Sequence, residues 1–310
     1  MGRNNSGKTS ILQAIQLLSD IVVYAFGNRD RPDFGSPRWS SDPSMAIQRV
    51  SFSDPDAVWL HKKTAEPCRL VATFSDDVEA RLDVNGRNRY SLDLLRNGES
   101  IKKGFVEPEA QAVVEELFSL RVVYVPPIGS LSPAENFSNW HNVKMGIDQG
   151  AISQYWRRYL YWLYNDGGKD AFDRVLNMVT EYLPGVKVLP PRLTHSDPPA
   201  VEIQFEEEGT SLDISGSGGG LRTILNLASI LTFSRSKCLL LDEPEAHLHA
   251  TLQRDMARLL FDYATDSGTQ VIVATHARAT ARHSRASRPS RSSVRWRMPS
   301  APSAGCRRCW

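Results

Sequence analysis

The first long apolar stretch of the chain repeats with the spacing of a helix. In TSILQAIQLLSDIVV, residues 9–23, apolar side chains stand at Ile11, Leu12, Ile15, Leu18 and 21–23, which together form one buried face. Residues 27–45 are rich in Gly, Pro, Ser and Asp and read as a loop. From 68 onward the period changes to two. CRLVATFSDDVEARLDVNGRNRYSLDLL alternates apolar and polar residues, with Asp76-Asp77 and Asn85-Gly86 as turn formers, and predicts antiparallel strands at about 68–75, 78–84 and 88–95. A helix near 107–119 then precedes an apolar strand, RVVYVPP, stopped by two prolines.

Helical spacing returns at 150–183, in AISQYWRRYLYWLYN and KDAFDRVLNMVTEYL, separated by Gly167-Gly168; the aromatic residues here read as core. Two strands are expected near 186–190 and 200–206. SLDISGSGGGLRTILNLASILTF is a glycine-rich turn opening an apolar helix. KCLLLDEPEAHLH is a buried strand ending in acid, TLQRDMARLLFDYA a helix and TQVIVATH a second buried strand. The unbroken apolar runs 239–241 and 271–274 are the pattern of parallel strands covered on both faces. The whole reads as an α/β chain with a parallel core, an antiparallel β region at about 68–95 and a helical region at about 150–183, without internal repeats. Residues 277–310 are Arg, Ser, Ala and Pro with almost no aliphatic side chains, a tail that cannot bury a core and is expected to be disordered.

Composition narrows the possibilities. The chain has 310 residues, 41% hydrophobic and 23% charged, enough for a sizeable core. No apolar run approaches the length of a membrane span, and the first residues are a polar Gly/Asn/Ser loop rather than a signal peptide. Four cysteines, of which Cys238 lies in an apolar strand as a buried thiol, fit a reducing cytoplasm. Cys306 and Cys309 form a C-x-x-C with no second pair and read as accidental. The formal charge of +2 hides an asymmetry. Residues 277–310 hold nine Arg and no Lys, Asp or Glu, so removing nine from 37 leaves 28 basic against 35 acidic residues, a net of −7, over 1–276. An acidic body argues against a broad basic face for nucleic acid.

Four short stretches carry the candidate chemistry. MGRNNSGKTS fills G-x-x-x-x-G-K-[ST] with Gly2, Gly7, Lys8 and Thr9. Backbone N–H groups along Asn4, Asn5, Ser6 and Gly7 would encircle a phosphate, Lys8 would reach the β- and γ-phosphates, Thr9 would offer its hydroxyl to Mg2+, and Ser10 would lie near the α-phosphate. Asn/Gly-rich turns before helices produce the same pattern, so this match alone is weak. The second stretch, CLLLDE, delivers Asp242 and Glu243 to the carboxyl end of a buried strand, where nucleotides bind in α/β sheets. Asp242 suits Mg2+ coordination through water, and Glu243 suits polarising an attacking water. His276, at the end of VIVATH, points toward the same crevice. SGSGGGL, residues 215–221, opens a helix as another anion-binding turn. One chain has little use for two such turns on one phosphate, whereas two chains facing each other can exchange them.

In that order, loop, Ser/Gly turn, LLLDEPEAHLH and VIVATH, the chain resembles the ABC-type ATPases of the SMC, RecF and OLD group, usually called AAA family ATPases. GRNNSGKTSILQAI is similar to their Walker A, CLLLDEPEAHLHATLQ to their Walker B and D-loop, and THA to their H-switch. The turn Ser217-Gly218-Gly219 is the best match to their signature. The resemblance covers residues 1–276 and implies a P-loop NTPase fold, with ATP and Mg2+ held at a homodimer interface between the Walker A of one copy and the signature turn of the other. It implies Glu243 and His276 as catalytic residues and hydrolysis that controls dimer opening. It places His247 and His249 at the D-loop, shaping the dimer contact rather than binding metal. By analogy the role lies in DNA repair, recombination or phage defence, with DNA or a nuclease as partner and no membrane. OLD-type members carry a nuclease domain after the ATPase; nuclease activity is not expected of this chain, and a partner would supply it.

Family members have a strand ahead of Walker A and a helix and strand after the H-switch. The expectation is therefore a late start at Met1 or a truncated gene, and a frameshift near codon 277, the rival to the latter being a genuine basic arm. Two other readings stand beside the hydrolytic ATPase: the nucleotide-binding subunit of a transporter, disfavoured by the long spacing from Lys8 to Asp242, and a non-catalytic ATP-binding remnant.

Overall fold

A computed structural model of the protein describes residues 8–26, 32, 34, 37–41, 68–73, 78–85, 89–101, 108–119, 122–127, 135–148, 152–166, 169–207, 209–233, 236–246, 248–276 and 295–297. The chain divides into two units, one of residues 2–122 with 287–310 and the other of residues 123–286.

The first unit packs two helices onto one face of an antiparallel sheet. Its elements are α1 (Lys8–Ala25), β1 (Ser40–Ser41), β2 (Cys68–Thr73), β3 (Val78–Asn85), β4 (Arg89–Arg96), β5 (Glu99–Ser100) and α2 (Pro108–Ser119). The sheet runs β1-β4-β3-β2, with β5 off the end of β4. The three predicted strands are present, within two residues at each end. Alternation decides which face is buried: Leu70, Ala72, Ala80, Leu82, Val84, Tyr90, Leu92 and Leu94 point inward onto Leu17, Leu18, Ile21 and Val22 of α1 and Val114 and Phe118 of α2. The outward positions are polar except for Val71 and Leu95, and Arg69 sits opposite Asp83 in the β2–β3 register, donating to both its carboxylate oxygens at 2.6 and 2.9 Å. The β4–β5 connection, not among the expected turns although it carries the same Asn-Gly signal as 85–86, turns on Asn97 and Gly98. Both adopt positive φ (52° and 82°), as a two-residue hairpin matched to strand twist requires. Within the tail, Arg295–Arg297 pairs antiparallel with β2, a strand where the sequence predicts no structure. The remainder of 277–310, with Cys306 and Cys309, lies outside the described residues.

The second unit is layered α/β. It comprises β6 (Val122–Val125), β7 (Glu135–Asn136), α3 (Trp140–Asp148), α4 (Ile152–Asn165), α5 (Lys169–Tyr182), β8 (Lys187–Val188), β9 (Arg192–Leu193), β10 (Ala200–Glu202), β11 (Gln204–Glu207), β12 (Thr210–Asp213), α6 (Gly219–Phe233), β13 (Cys238–Asp242), α7 (Ala250–Ser267) and β14 (Gln270–Ala274). The central sheet has the order β14-β13-β6. β13 and β14 are parallel, in register from Cys238↔Gln270 to Asp242↔Ala274, as their unbroken apolar runs predict. Every residue of β13 is buried, and burial raises the Cys238 thiol to about 12. α7 is the crossover between the two strands. It ends on Gly268, whose left-handed backbone (φ 65°) closes the last turn and lets the chain re-enter the sheet. Around the sheet lie Trp156, Tyr159 and Leu160 of α4, Phe172, Val175 and Val179 of α5, Ile224, Leu225, Leu227 and Ala228 of α6, and Met256 and Leu260 of α7. Two small antiparallel sheets, β7-β10-β9 and β12-β11-β8, complete the unit. No helix among the described residues is long and apolar enough to cross a membrane.

Candidate functional site

β13 and β14 end side by side, and their ends bring together three of the predicted side chains, Asp242, Glu243 and His276. Asp242, the last residue of β13, is 2% exposed. Its Oδ2 accepts a hydrogen bond from the Tyr124 hydroxyl at 3.2 Å, while Oδ1 has no partner among the described residues. A buried carboxylate with one satisfied oxygen and one orphaned oxygen is poised to take a cation or a water bound to one. Burial, with Asp242 beside it, pushes the Tyr124 hydroxyl far up, so it stays a donor at neutral pH. Tyr124→Phe is expected to lower stability by about 1 kcal/mol, since it leaves the Asp242 carboxylate without its donor; urea denaturation with an unchanged m-value checks it.

Glu243 follows in the left-handed region (φ 48°), where a residue with a Cβ is strained by roughly 1–2 kcal/mol. Two backbone bonds hold it there: its N–H donates to Ala274 O at 2.8 Å, and its own carbonyl accepts from Ala246 N at 2.9 Å. That kink turns the side chain off the strand, leaving it 41% exposed with Oε1 2.9 Å from His276 Nε2. Glu245 stands behind the pair. It is 6% exposed, and its Oε1 accepts from both the Thr275 hydroxyl and His276 N, the latter at 2.9 Å.

Ser217, Gly218 and Gly219 lie in the same unit, at the amino end of α6. The turn is built by its own side chains. Asp213 Oδ1 accepts from the N–H of Ser215 at 2.7 Å and from its hydroxyl, and Ser217 donates to Ile214 O at 2.7 Å. The Ser217 hydroxyl is thus turned inward and buried, while Gly218 is exposed, and a Cβ there would meet nothing within 4 Å. Arg157 of α4, 1% exposed, reaches the same Asp213 with Nη1 3.3 Å from Oδ2 and Nη2 3.4 Å from Oδ1. Burial alone would raise Asp213, but the Ser215 hydroxyl and N–H and the Arg157 guanidinium outweigh it, holding the carboxyl below its ordinary range.

Lys8, Thr9 and Ser10 open α1 in the first unit, Lys8 half-buried and the two hydroxyl residues exposed. Gly2, Asn4, Asn5, Ser6 and Gly7 lie outside the described residues, as does His247; His249 is the residue before α7. Among the described residues no three His, Cys, Asp or Glu side chains gather as a metal cage. A magnesium ion held mainly by phosphate and water needs only one or two protein ligands, and the half-satisfied Asp242 carboxylate is of the right chemistry for one of them. Two residues of the site carry no local signal in the sequence. Tyr124 belongs to an apolar strand, and Glu245 to an acidic turn, with nothing near either to mark a role.

A family model described as "AAA domain, putative AbiEii toxin, Type IV TA system" matches residues 1–277. No curated protein matches the chain. Among solved structures it is similar to the SmcHead bound to the C-winged helix domain of ScpA, with a TM-score of 0.50 and 16% identity over 91% of this chain and 82% of that one. The SMC head domain from Thermotoga maritima is similar at a TM-score of 0.36 and 14% identity, over 78% of each chain. The Smc head domain with a coiled coil and joint from Pyrococcus yayanosii gives 0.31 and 21% over 36% of this chain, a match spanning 23% of its own length. The fold likeness rests on the first of these. Since the family match runs from the phosphate loop through His276, the chain belongs to this AAA-domain family of P-loop ATPases, with a fold like that of an SMC head domain.

Proposed function

We propose that the protein binds ATP with Mg2+ and hydrolyses it at a site completed by a second copy of the chain. The observation that carries this reading is the cluster of Asp242, Glu243 and His276 at the adjoining ends of two parallel strands, where α/β sheets bind nucleotides. The backbone of Gly2, Asn4, Asn5, Ser6 and Gly7 would cradle the phosphates, with Lys8 on the β- and γ-phosphates and Ser10 beside the α-phosphate. α1, 18 residues long, directs its positive end at them. Thr9 and Asp242 would hold Mg2+, which would supply charge neutralisation at the phosphate oxygens. Glu243 accepts the proton of the attacking water, and His276 steadies that water and the γ-phosphate. Ser217, Gly218 and Gly219 of the second copy would close on the γ-phosphate through the backbone N–H groups of the two glycines, since the N–H and the hydroxyl of Ser217 are both bonded to Ile214 O; the exposure of Gly218 supports this use.

The wider role lies in DNA repair, recombination or phage defence, with DNA or a nuclease as partner. The family's description as a toxin of a toxin–antitoxin system supports the defence side, and the fold likeness to an SmcHead that binds a winged-helix domain supports a protein partner. Isothermal calorimetry with MgATP tests the core of the reading: uptake is expected, with Lys8→Ala weakening it by about tenfold or more. No uptake by the unaltered chain, or equal uptake by the variant, would end it.

A further inference from the structure

Glu245 lies outside the set that contacts nucleotide in the proposed function, yet it is the most enclosed carboxylate near it after Asp242. Its Oε1 bridges two successive residues of the neighbouring strand end, the Thr275 hydroxyl and the His276 N–H. The other end of the same loop is tied by Glu243 N to Ala274 O, and by the Glu243–His276 side-chain contact at 2.9 Å. Two carboxylates, two residues apart on the loop after β13, therefore grip the segment 274–276 from the backbone side and from the imidazole side. The grip determines how far His276 stands from Glu243. A neutral side chain can make the Oε1 contacts, since both are donors to an oxygen.

We propose that Glu245 is a positioning residue that sets His276, and through it the orientation of Glu243, for the reaction; this rests on the hydrolytic reading of those two residues. It does not touch the nucleotide. Its loss should slow turnover without weakening binding, and only for as long as His276 is present to be positioned.

The test compares Glu245→Ala, Glu245→Gln, His276→Ala and the Glu245→Ala/His276→Ala double variant in the full chain. Steady-state ATPase, MgATP affinity by calorimetry and the side-chain nitrogen resonances of His276 are the readouts. Glu245→Ala is expected to lower kcat by about tenfold at unchanged affinity and to move the His276 Nε2 resonance. Glu245→Gln, whose amide oxygen accepts the same two bonds, should stay within about twofold of the unaltered protein and leave the resonance in place. The double variant should be no slower than His276→Ala. A Glu245→Ala protein with unaltered kcat and unmoved His276 resonance overturns the proposal, as do losses that multiply in the double variant. Should Glu245→Ala fail to fold, Thr275→Val removes one of the two donors and is read the same way. Absence of turnover in the unaltered chain overturns the proposed function instead; the His276 resonance then decides on Glu245 alone.

Discussion

Glu243→Gln is expected to slow ATP turnover by about 10²–10⁴-fold while leaving MgATP affinity within about twofold. The side chain stands at the carboxyl end of a fully buried strand, and it is accessible enough to meet a ligand, at 41% exposed. It occupies a left-handed backbone position held by hydrogen bonds to Ala274 and Ala246, so its direction is set before anything binds. Glutamine keeps the length, the shape and an oxygen acceptor for His276 Nε2, but it cannot take a proton from water. Loss of turnover at constant affinity is therefore the signature of a general base rather than of a binding residue. Steady-state phosphate release and calorimetry on the two proteins make the comparison. Equal turnover would remove hydrolysis from the reading and leave an ATP-binding protein.

The parts of this site that are legible in the sequence are those that local pattern controls. An unbroken apolar run followed by acid marks a buried strand with a carboxylate at its end, and that alone points to Asp242 and Glu243. A second such run does the same for His276. The alternating stretch from Cys68 to Arg96 likewise announces an antiparallel sheet, because a period of two places every second side chain on one buried face only in a strand. What stays hidden depends on partners far along the chain. Tyr124 meets Asp242 across 118 positions, and nothing in VVYV distinguishes a tyrosine that packs from one that donates. Glu245 looks like any acid in a turn until Thr275 and His276 arrive 30 and 31 positions later. The helix Trp140–Asp148 is only nine residues long, too short to be stable alone, so its packing on α4 holds it. The Arg295–Arg297 strand, in a segment with almost no aliphatic residues, exists only because the edge of β2 accepts it. The Ser/Gly turn is a mixed case: its glycines declare a turn, but the inward set of the Ser217 hydroxyl follows from the Ile214 carbonyl three residues back.

Asp213→Ala is expected to cost about 3 kcal/mol of stability at neutral pH, and the reason lies on the other side of the pair. Arg157 is 1% exposed, and its Nε already has no partner, so the Asp213 carboxylate supplies the countercharge to a buried guanidinium. Removing one member of a buried ion pair leaves the desolvated charge uncompensated, which costs about 3–5 kcal/mol. The lower figure applies because the Asp213 side chain is 37% exposed and water screens part of the interaction. The pH dependence has a definite sign. The folded carboxyl is held below its ordinary range, so its contribution is complete above that range and disappears as pH falls through the depressed folded value. The stability gap between the unaltered protein and Asp213→Ala should therefore be flat from neutral pH down to about 5 and close progressively below about 4. Urea denaturation across that range, with equal m-values, measures it. A gap under about 0.5 kcal/mol at pH 7 would mean that the guanidinium is satisfied by something other than this carboxylate. The same carboxylate caps the Ser215–Ile214 turn, so the variant also frees the residues that lead into Ser217, Gly218 and Gly219. If that turn closes a neighbour's nucleotide site, Asp213→Ala at a temperature where it remains folded should lower ATPase more than it lowers MgATP affinity in the monomeric chain, because the turn acts on the partner's phosphate and not on its own.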